Sequence, residues 1–129
     1  MFRSRYWFYL PAISWASIIY FMSTTSSIPK IDFNLLSVDK IGHMVFYSIL
    51  TLLLIFGAAK QKQWTSSNVM ILGLMAILAS AYGISLEYVQ GLLPHRSFDT
   101  ADMLANEVGV VIGLLIYIFT AQRFFLSKE

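Results

Sequence analysis

One polar stretch decides the fold of this chain: Glu87-Tyr-Val-Gln-Gly-Leu-Leu-Pro-His-Arg-Ser-Phe-Asp-Thr-Ala-Asp-Met-Leu-Ala-Asn106. It starts at the end of one apolar segment and continues into the next. Ionisable side chains are costly in hydrocarbon, and they face a bundle interior or a water-filled cavity when they occur there. We therefore interpret this stretch as the functional face of a small membrane protein.

The composition also indicates a membrane protein. The 129 residues are 57% hydrophobic and 12% charged, whereas soluble proteins have about 45–50% apolar and 25% charged residues. The small net charge of +2 argues against nucleic acid as a partner, because phosphate binding needs a continuous basic surface. Since the chain has no cysteine, disulfides, thiolate nucleophiles and Cys-type zinc sites are excluded.

Four apolar segments have the length of about 17–25 residues that a helix needs to cross a bilayer. We expect an all-α membrane protein with a single domain over residues 1–129 and the lipid bilayer as its surroundings. The expected transmembrane helices cover about residues 6–22, 40–59, 68–90 and 101–121. The first is predicted to be retained rather than cleaved as a signal peptide, because it is long, rich in aromatics and not followed by an Ala-x-Ala site.

The basic residues near the segment ends predict the orientation. One side collects six of them: Arg3, Arg5, Lys60, Lys62, Arg123 and Lys128. The other side has three: Lys30, Lys40 and Arg96. Both termini are therefore expected in the cytoplasm, and the polar stretch is expected at the outer face.

Helical spacing places polar side chains from three segments at that face. Asp39 and His43 share one face of the second helix, Glu87 lies near the end of the third, and Asp102 and Asn106 share a face of the fourth. A single polar residue between membrane helices often only holds the packing, at about 0.6–2 kcal/mol, but packing does not need a set of this size. The predicted ligand pocket comprises Asp39, Lys40, His43, Glu87, Gln90, Arg96, Asp99, Asp102 and Asn106.

Two glycines in the fourth helix, Gly109 and Gly113, are predicted to pack against another helix, because small residues let backbones approach closely in lipid. A homodimer through this glycine face is an alternative. Glu107, on a different flank, is expected to pair with Lys40 or another cation, or to be protonated.

The charges of the set leave the chemistry open. Four carboxylates against Lys40 and Arg96 give a charge of −2 with His43 neutral. Such a site could hold a divalent cation, an extra proton or a cationic group. No spacing resembles His-Glu-x-x-His, so no metal site is predicted and a divalent cation stays an alternative. The catalytic candidates are His43 and Asp102, with Arg96 or Lys40 holding a phosphate.

Several motifs together resemble the VanZ-like family. They are the segment Ser23-Thr-Thr-Ser-Ser-Ile-Pro29, Asp39-Lys-Ile-Gly-His43 with Tyr47, Glu87-Tyr-Val-Gln90, Arg96 with Asp99 and Asp102, and Asn106 with Gly109 and Gly113. The resemblance implies a multi-pass bacterial inner-membrane protein that acts on the cell envelope. The family is named for a protein that accompanies glycopeptide-resistance genes and is linked to teicoplanin resistance. Glu107 departs from the pattern, in which a small or hydroxyl residue follows the asparagine.

Our leading functional hypothesis is a membrane protein, not a transporter, whose outward-facing pocket binds a lipid-linked or cell-surface envelope ligand and affects teicoplanin susceptibility. The alternative is a membrane-embedded enzyme acting on a lipid or isoprenoid head group, with His43 as base and Asp99 and Asp102 positioning a cation or the substrate. A third reading is an ion-coupled transporter, for which four helices are few.

Overall fold

The computed structural model describes residues 5–25, 38–61 and 69–126, with side chains described up to residue 121. All regular structure in these ranges is helical: a 3₁₀ helix over Arg5–Tyr9, then α1 (Leu10–Thr24), α2 (Val38–Ala59), α3 (Val69–Leu92) and α4 (Thr100–Leu126). Several basic residues used for the orientation lie outside the described side chains: Arg3, Lys30, Lys62, Arg123 and Lys128.

Within the described ranges, three helices are long and apolar enough to cross a membrane: Val38–Ala59, Val69–Leu92 and Thr100–Ala121. The N-terminal helix is divided into the 3₁₀ helix and α1. Pro11 stands in the first turn of α1, where a missing N–H costs no hydrogen bond. The 3₁₀ helix has 5 residues and α1 has 15, which together rise about 32 Å. This length matches the hydrocarbon thickness of about 30 Å, so a fourth crossing stays a prediction with geometric support.

Hydrogen bonds at the two ends of the bundle define the topology. At one end, Arg5 Nη1 donates to the Lys60 carbonyl over 3.1 Å, so α1 begins where α2 ends. At the other end, Arg96 Nη2 donates to the Met22 carbonyl over 3.0 Å, so α1 ends beside the α3–α4 loop. The helices therefore alternate in direction, and α2 runs parallel to α4. Arg5 and the end of α4 lie at the face opposite the polar stretch.

The α2–α4 contact is the most extensive in the bundle, and two glycines permit it. A Cβ atom on Gly109 would lie 2.9 Å from Met44 Cα, and one on Gly113 would lie 2.7 Å from the Ser48 carbonyl oxygen. The two backbones are thus in direct contact. The glycine face that the sequence suggested for a homodimer is covered by α2 within one chain, and dimerisation itself stays a prediction.

Apolar side chains fill the interior and also cover the outside. One buried cluster takes residues from all four helices: Ile19, Tyr47, Leu50, Ala79, Leu86 and Val110. A second lies nearer the opposite end: Ile55, Ala58, Leu72 and Met75. Large apolar side chains such as Ile77, Leu104 and Phe119 are exposed, as expected of helices that face lipid.

Candidate functional site

The charged ends of α2 and α4 meet in an ion pair. Lys40 Nζ donates to Asp102 Oδ1 over 3.0 Å, and Asp99 Oδ2 lies 3.9 Å from the same nitrogen. Asp102 is buried. Because α2 and α4 are parallel and in contact below this point, their first turns bring Lys40 and the two aspartates to one end of the bundle.

His43 is held one turn deeper by a second bond between these helices. Its Nδ1 lies 2.8 Å from Asn106 Oδ1, and Asn106 is 1% exposed. An amide oxygen only accepts hydrogen bonds, so Nδ1 carries the proton. Nε2 then faces Asp102 Oδ2 at 3.8 Å and Asp39 Oδ1 at 3.9 Å. Both distances exceed the 2.7–3.2 Å of a hydrogen bond.

Glu87 contributes a buried carboxylate from the end of α3. It is 1% exposed, and the hydrogen bond that it receives from the described residues is a long one, 3.4 Å from the Asp99 backbone N–H. Asp99 Oδ1 caps α4 by accepting from the Ala101 N–H over 2.8 Å. Below them lies the ring of Tyr47, in a space that exists because Gly83 has no side chain.

The described residues of the cluster include more acidic than basic side chains. Among the described residues, the cluster contains four carboxylates (Asp39, Glu87, Asp99 and Asp102) and one cationic side chain, Lys40. The sum is −3 with His43 neutral, not the −2 expected from the sequence. The difference is Arg96, whose guanidinium does not join the cluster.

Three polar side chains at and after the end of α3 donate hydrogen bonds to the last backbone carbonyls of α1. The last carbonyls of a helix lack partners within the helix, and cationic side chains near them are favourable. The hydrogen bonds run from Arg96 to Met22 and Thr25, from Gln90 to Ser23, and from His95 to Thr24. Gln90 and Arg96 were predicted to line the pocket, but in the structure they donate hydrogen bonds to α1. The sequence held a signal for this role, since α1 ends in Ser-Thr-Thr with neither a glycine nor a basic residue to cap it.

Glu107 has a different partner from the expected one. Its Oε2 accepts from Ser80 Oγ over 2.7 Å, whereas Oε1 is buried and receives no hydrogen bond from the part of the chain that the structure describes. The expected pairing with Lys40 is not seen, because Lys40 bonds to Asp102 at the bundle end. Glu107 instead joins α4 to α3 outside the cluster. The other expectation, that Glu107 is protonated, stays a prediction.

Seven of the nine predicted pocket residues therefore lie together at one end of the bundle, a group that we call the polar cluster: Asp39, Lys40, His43, Glu87, Asp99, Asp102 and Asn106. Within it, one donor atom each from Asp39, His43 and Asp102 lies within 4.8 Å of the others, a grouping that could hold a metal ion. The sequence did not indicate this triad, because its members come from two helices. The cluster is equipped to bind a cation or to transfer a proton.

Comparison with known proteins gives two matches. The family profile described as VanZ/LLP1 matches residues 5–122. A relative from Schizosaccharomyces pombe, described as uncharacterized protein C11E3.10, is 29% identical over 87 residues, which is 66% of this chain and 49% of the yeast protein. The chain thus spans about half the length of that relative. No solved structure matches the chain.

Proposed function

Because this chain belongs to the VanZ/LLP1 family, we propose that its polar cluster binds the head group of a lipid-linked ligand at one face of the bilayer. The observation that carries the proposal is the position of the cluster. Its residues gather where α2 and α4 begin and α3 ends, at the depth of the lipid head groups in a spanning bundle. A ligand could reach such a site from within the membrane plane.

The surroundings of the cluster suit an amphiphilic ligand. Tyr88 and Phe98 lie beside it with ring centroids 5.3 Å apart, and both are exposed. Aromatic rings are typical of the membrane interface, where they contact head groups and the first carbons of the chains. Exposed apolar residues further along the helices, such as Leu104, would contact the tail of the ligand.

The proposal includes a topology and a location. We place the N-terminal helix across the membrane, both termini in the cytoplasm and the cluster at the outer face of a bacterial inner membrane. The support is the length of the divided N-terminal helix, the side shared by Arg5 and the end of α4, and the excess of basic residues assigned to that side.

The yeast relative bears on the class of ligand. A relative in a fission yeast favours a ligand that yeast and bacterial membranes share, a lipid or lipid-linked carrier, over a polymer of the bacterial wall. In a bacterial host, an effect on teicoplanin susceptibility would then follow from binding an envelope lipid rather than from contact with the drug.

Native mass spectrometry of the purified protein would test ligand binding directly. The probes are farnesyl phosphate, phosphatidylethanolamine and phosphatidylglycerol, each offered at the same concentration. We expect the wild type to retain one of them at least about 10-fold better than Asp102→Asn, a loss of 1.4 kcal/mol. Glu107→Gln, which neutralises a carboxylate outside the cluster, should retain it like the wild type. Equal retention by all three proteins would refute the proposal.

Survival in teicoplanin tests the physiological part. A sensitive Gram-positive host would express either the wild type or Asp102→Asn at matched membrane levels. The proposal predicts protection by the wild type and its loss in the variant. Protection by both would show that the effect does not depend on the Asp102 carboxylate. Protection by neither would remove teicoplanin susceptibility from the proposed function.

An enzyme acting on the same head group is the second candidate, favoured by the fixed tautomer of His43. With Nδ1 bonded to Asn106, Nε2 is the nitrogen available to a substrate, as a general base requires. Turnover of a lipid head group by the wild type, abolished in a folded His43→Gln variant, would support the enzyme. Unchanged turnover in that variant would exclude His43 as the base.

A further inference from the structure

We propose that Asp39, His43 and Asp102 form a binding site for a divalent transition-metal ion. The first argument is the spacing of the donor atoms. His43 Nε2 lies 3.9 Å from Asp39 Oδ1 and 3.8 Å from Asp102 Oδ2, and one donor atom from each residue lies within 4.8 Å of the others. Atoms spaced in this way surround a point about 2.5 Å from each, within a few tenths of an ångström of common metal–ligand distances.

The second argument is the orientation of His43. Metal-binding histidines donate the N–H of their other ring nitrogen to an oxygen, which fixes the ring and the tautomer. Asn106 Oδ1 receives such a bond from His43 Nδ1 over 2.8 Å, and Asn106 is buried. The Nε2 lone pair is thereby directed at two carboxylate oxygens.

A proton between these groups explains the distances less well than an ion. An imidazolium that shared its proton with a carboxylate would draw the oxygen to about 2.7–2.9 Å. The observed gaps are about 1 Å longer than that. Three electron-pair donors face one another across a space that is too wide for a hydrogen bond and suits an ion.

Charge at the base of the cluster supplies an independent argument. Glu87 is 1% exposed, comes from a third helix, and receives one long hydrogen bond from the described residues. The backbone N–H that bonds to it belongs to Asp99, three residues before the ligand Asp102 on the same chain segment. A buried carboxylate with one long hydrogen bond is costly unless it takes a proton or has a positive charge nearby. Lys40 supplies one positive charge, and a metal ion at the triad would add to it.

One nitrogen and two carboxylate donors suit Mn²⁺, Fe²⁺, Co²⁺ or Zn²⁺. Three protein ligands leave coordination positions open, as in catalytic and ligand-binding sites. This step rests on the proposed function: we infer that an open position takes an oxygen atom of the bound head group. The cation would then lie between the acidic side chains and an anionic lipid and attract both. In that arrangement His43 is a ligand and cannot also serve as the general base.

Mn²⁺ binding to the purified protein in detergent, followed by electron paramagnetic resonance, would test the site without any lipid. We expect one ion per chain and at least about 10-fold weaker binding in Asp39→Asn, His43→Gln and Asp102→Asn. Because Asp39 is 41% exposed, Asp39→Asn should fold normally. It therefore tests the site even if the variants of the less exposed ligands fail to fold. Glu107→Gln and His95→Gln are the controls and should bind like the wild type.

Two further variants distinguish a metal site from a simple ion-pair cluster. Asn106→Leu removes the oxygen that orients His43 and should weaken Mn²⁺ binding about 10- to 100-fold. Lys40→Met removes the competing positive charge and frees Asp102 Oδ1, and it should strengthen binding severalfold. Absence of saturable binding up to about 1 mM, or equal affinity in the wild type and the ligand variants, would overturn the assignment. A chelator should then lower lipid retention by the wild type. Retention that a chelator leaves unchanged would overturn the inferred bond between ion and head group while leaving the proposed function intact.

Discussion

A Gly109→Ala substitution should push α2 and α4 apart. The added Cβ would lie 2.9 Å from Met44 Cα and 3.0 Å from Met44 C, besides colliding with the carbonyl oxygen. These are backbone atoms of a helix, so no rotation of a side chain can relieve the overlap. One of the two helices must shift.

The expected cost combines two opposing effects. Overpacking a closely fitted contact costs about 1–3 kcal/mol, while replacing glycine with alanine inside a helix recovers about 1 kcal/mol. We expect Gly109→Ala to lose up to about 2 kcal/mol, a factor of up to about 30 in the unfolding equilibrium. Gly73→Ala is the matched control, because a Cβ at Gly73 meets nothing within 4 Å, and it should be neutral or stabilising.

Unfolding in mixed detergent micelles, followed by intrinsic fluorescence, would measure both free energies. Nitrogen NMR of the His43 ring gives a second readout, since the displaced helices would lengthen the bond from Nδ1 to Asn106. If Gly109→Ala proved as stable as Gly73→Ala and the His43 signal stayed in place, the close contact between the two backbones would be refuted.

Three other substitutions test contacts away from the cluster. Arg96→Gln should cost about 1 kcal/mol and speed amide exchange at the end of α1, and an unchanged exchange rate near Thr25 would contradict the capping role. Tyr82→Phe removes the hydrogen bond to the Ala16 carbonyl and should lower the free energy of unfolding by about 0.5–1.5 kcal/mol. Glu107→Gln should leave the stability unchanged or raise it by about 1 kcal/mol, since the bond to Ser80 can persist without a buried charge. A clear loss of stability there would mean that the charge is needed.

Much of the fold could be predicted from hydrophobicity and helix-end chemistry. The helix bounds agree with the predicted ones to within about two residues at most ends, since Pro94 and Asp99 mark the break between α3 and α4. The N-terminal helix differs, because Pro11 changes the helix type within an apolar run whose hydrophobicity gives no sign of it. The far end of α4 also differs, because helical residues continue to Leu126 beyond the apolar part.

The site was predictable as a location but not as a set of contacts. Helical periodicity places His43 and Asn106 on inward faces, because a period of 3.6 residues fixes direction around the axis. Which donor meets which acceptor depends on the register between helices, and a single sequence does not contain it. Arg96 therefore stood with the carboxylates in the sequence interpretation, while in the structure it bonds to α1. The pairing of Glu107 with Ser80 was missed for the same reason.

The side chains that complete α1 have a consequence for synthesis. Arg96 follows its acceptor Met22 by 74 positions, so at about 5–20 residues per second the ribosome makes it about 4–15 s later. Until then, water or lipid head groups must solvate the last carbonyls of α1 at the membrane surface. The last carbonyls of α1 thus gain their protein hydrogen-bond donors only after the segment that joins α3 to α4 has been synthesised. Ribosome-bound chains truncated before and after residue 96 should accordingly differ in protease resistance around Thr24, which makes assembly of this small bundle dependent on its second half.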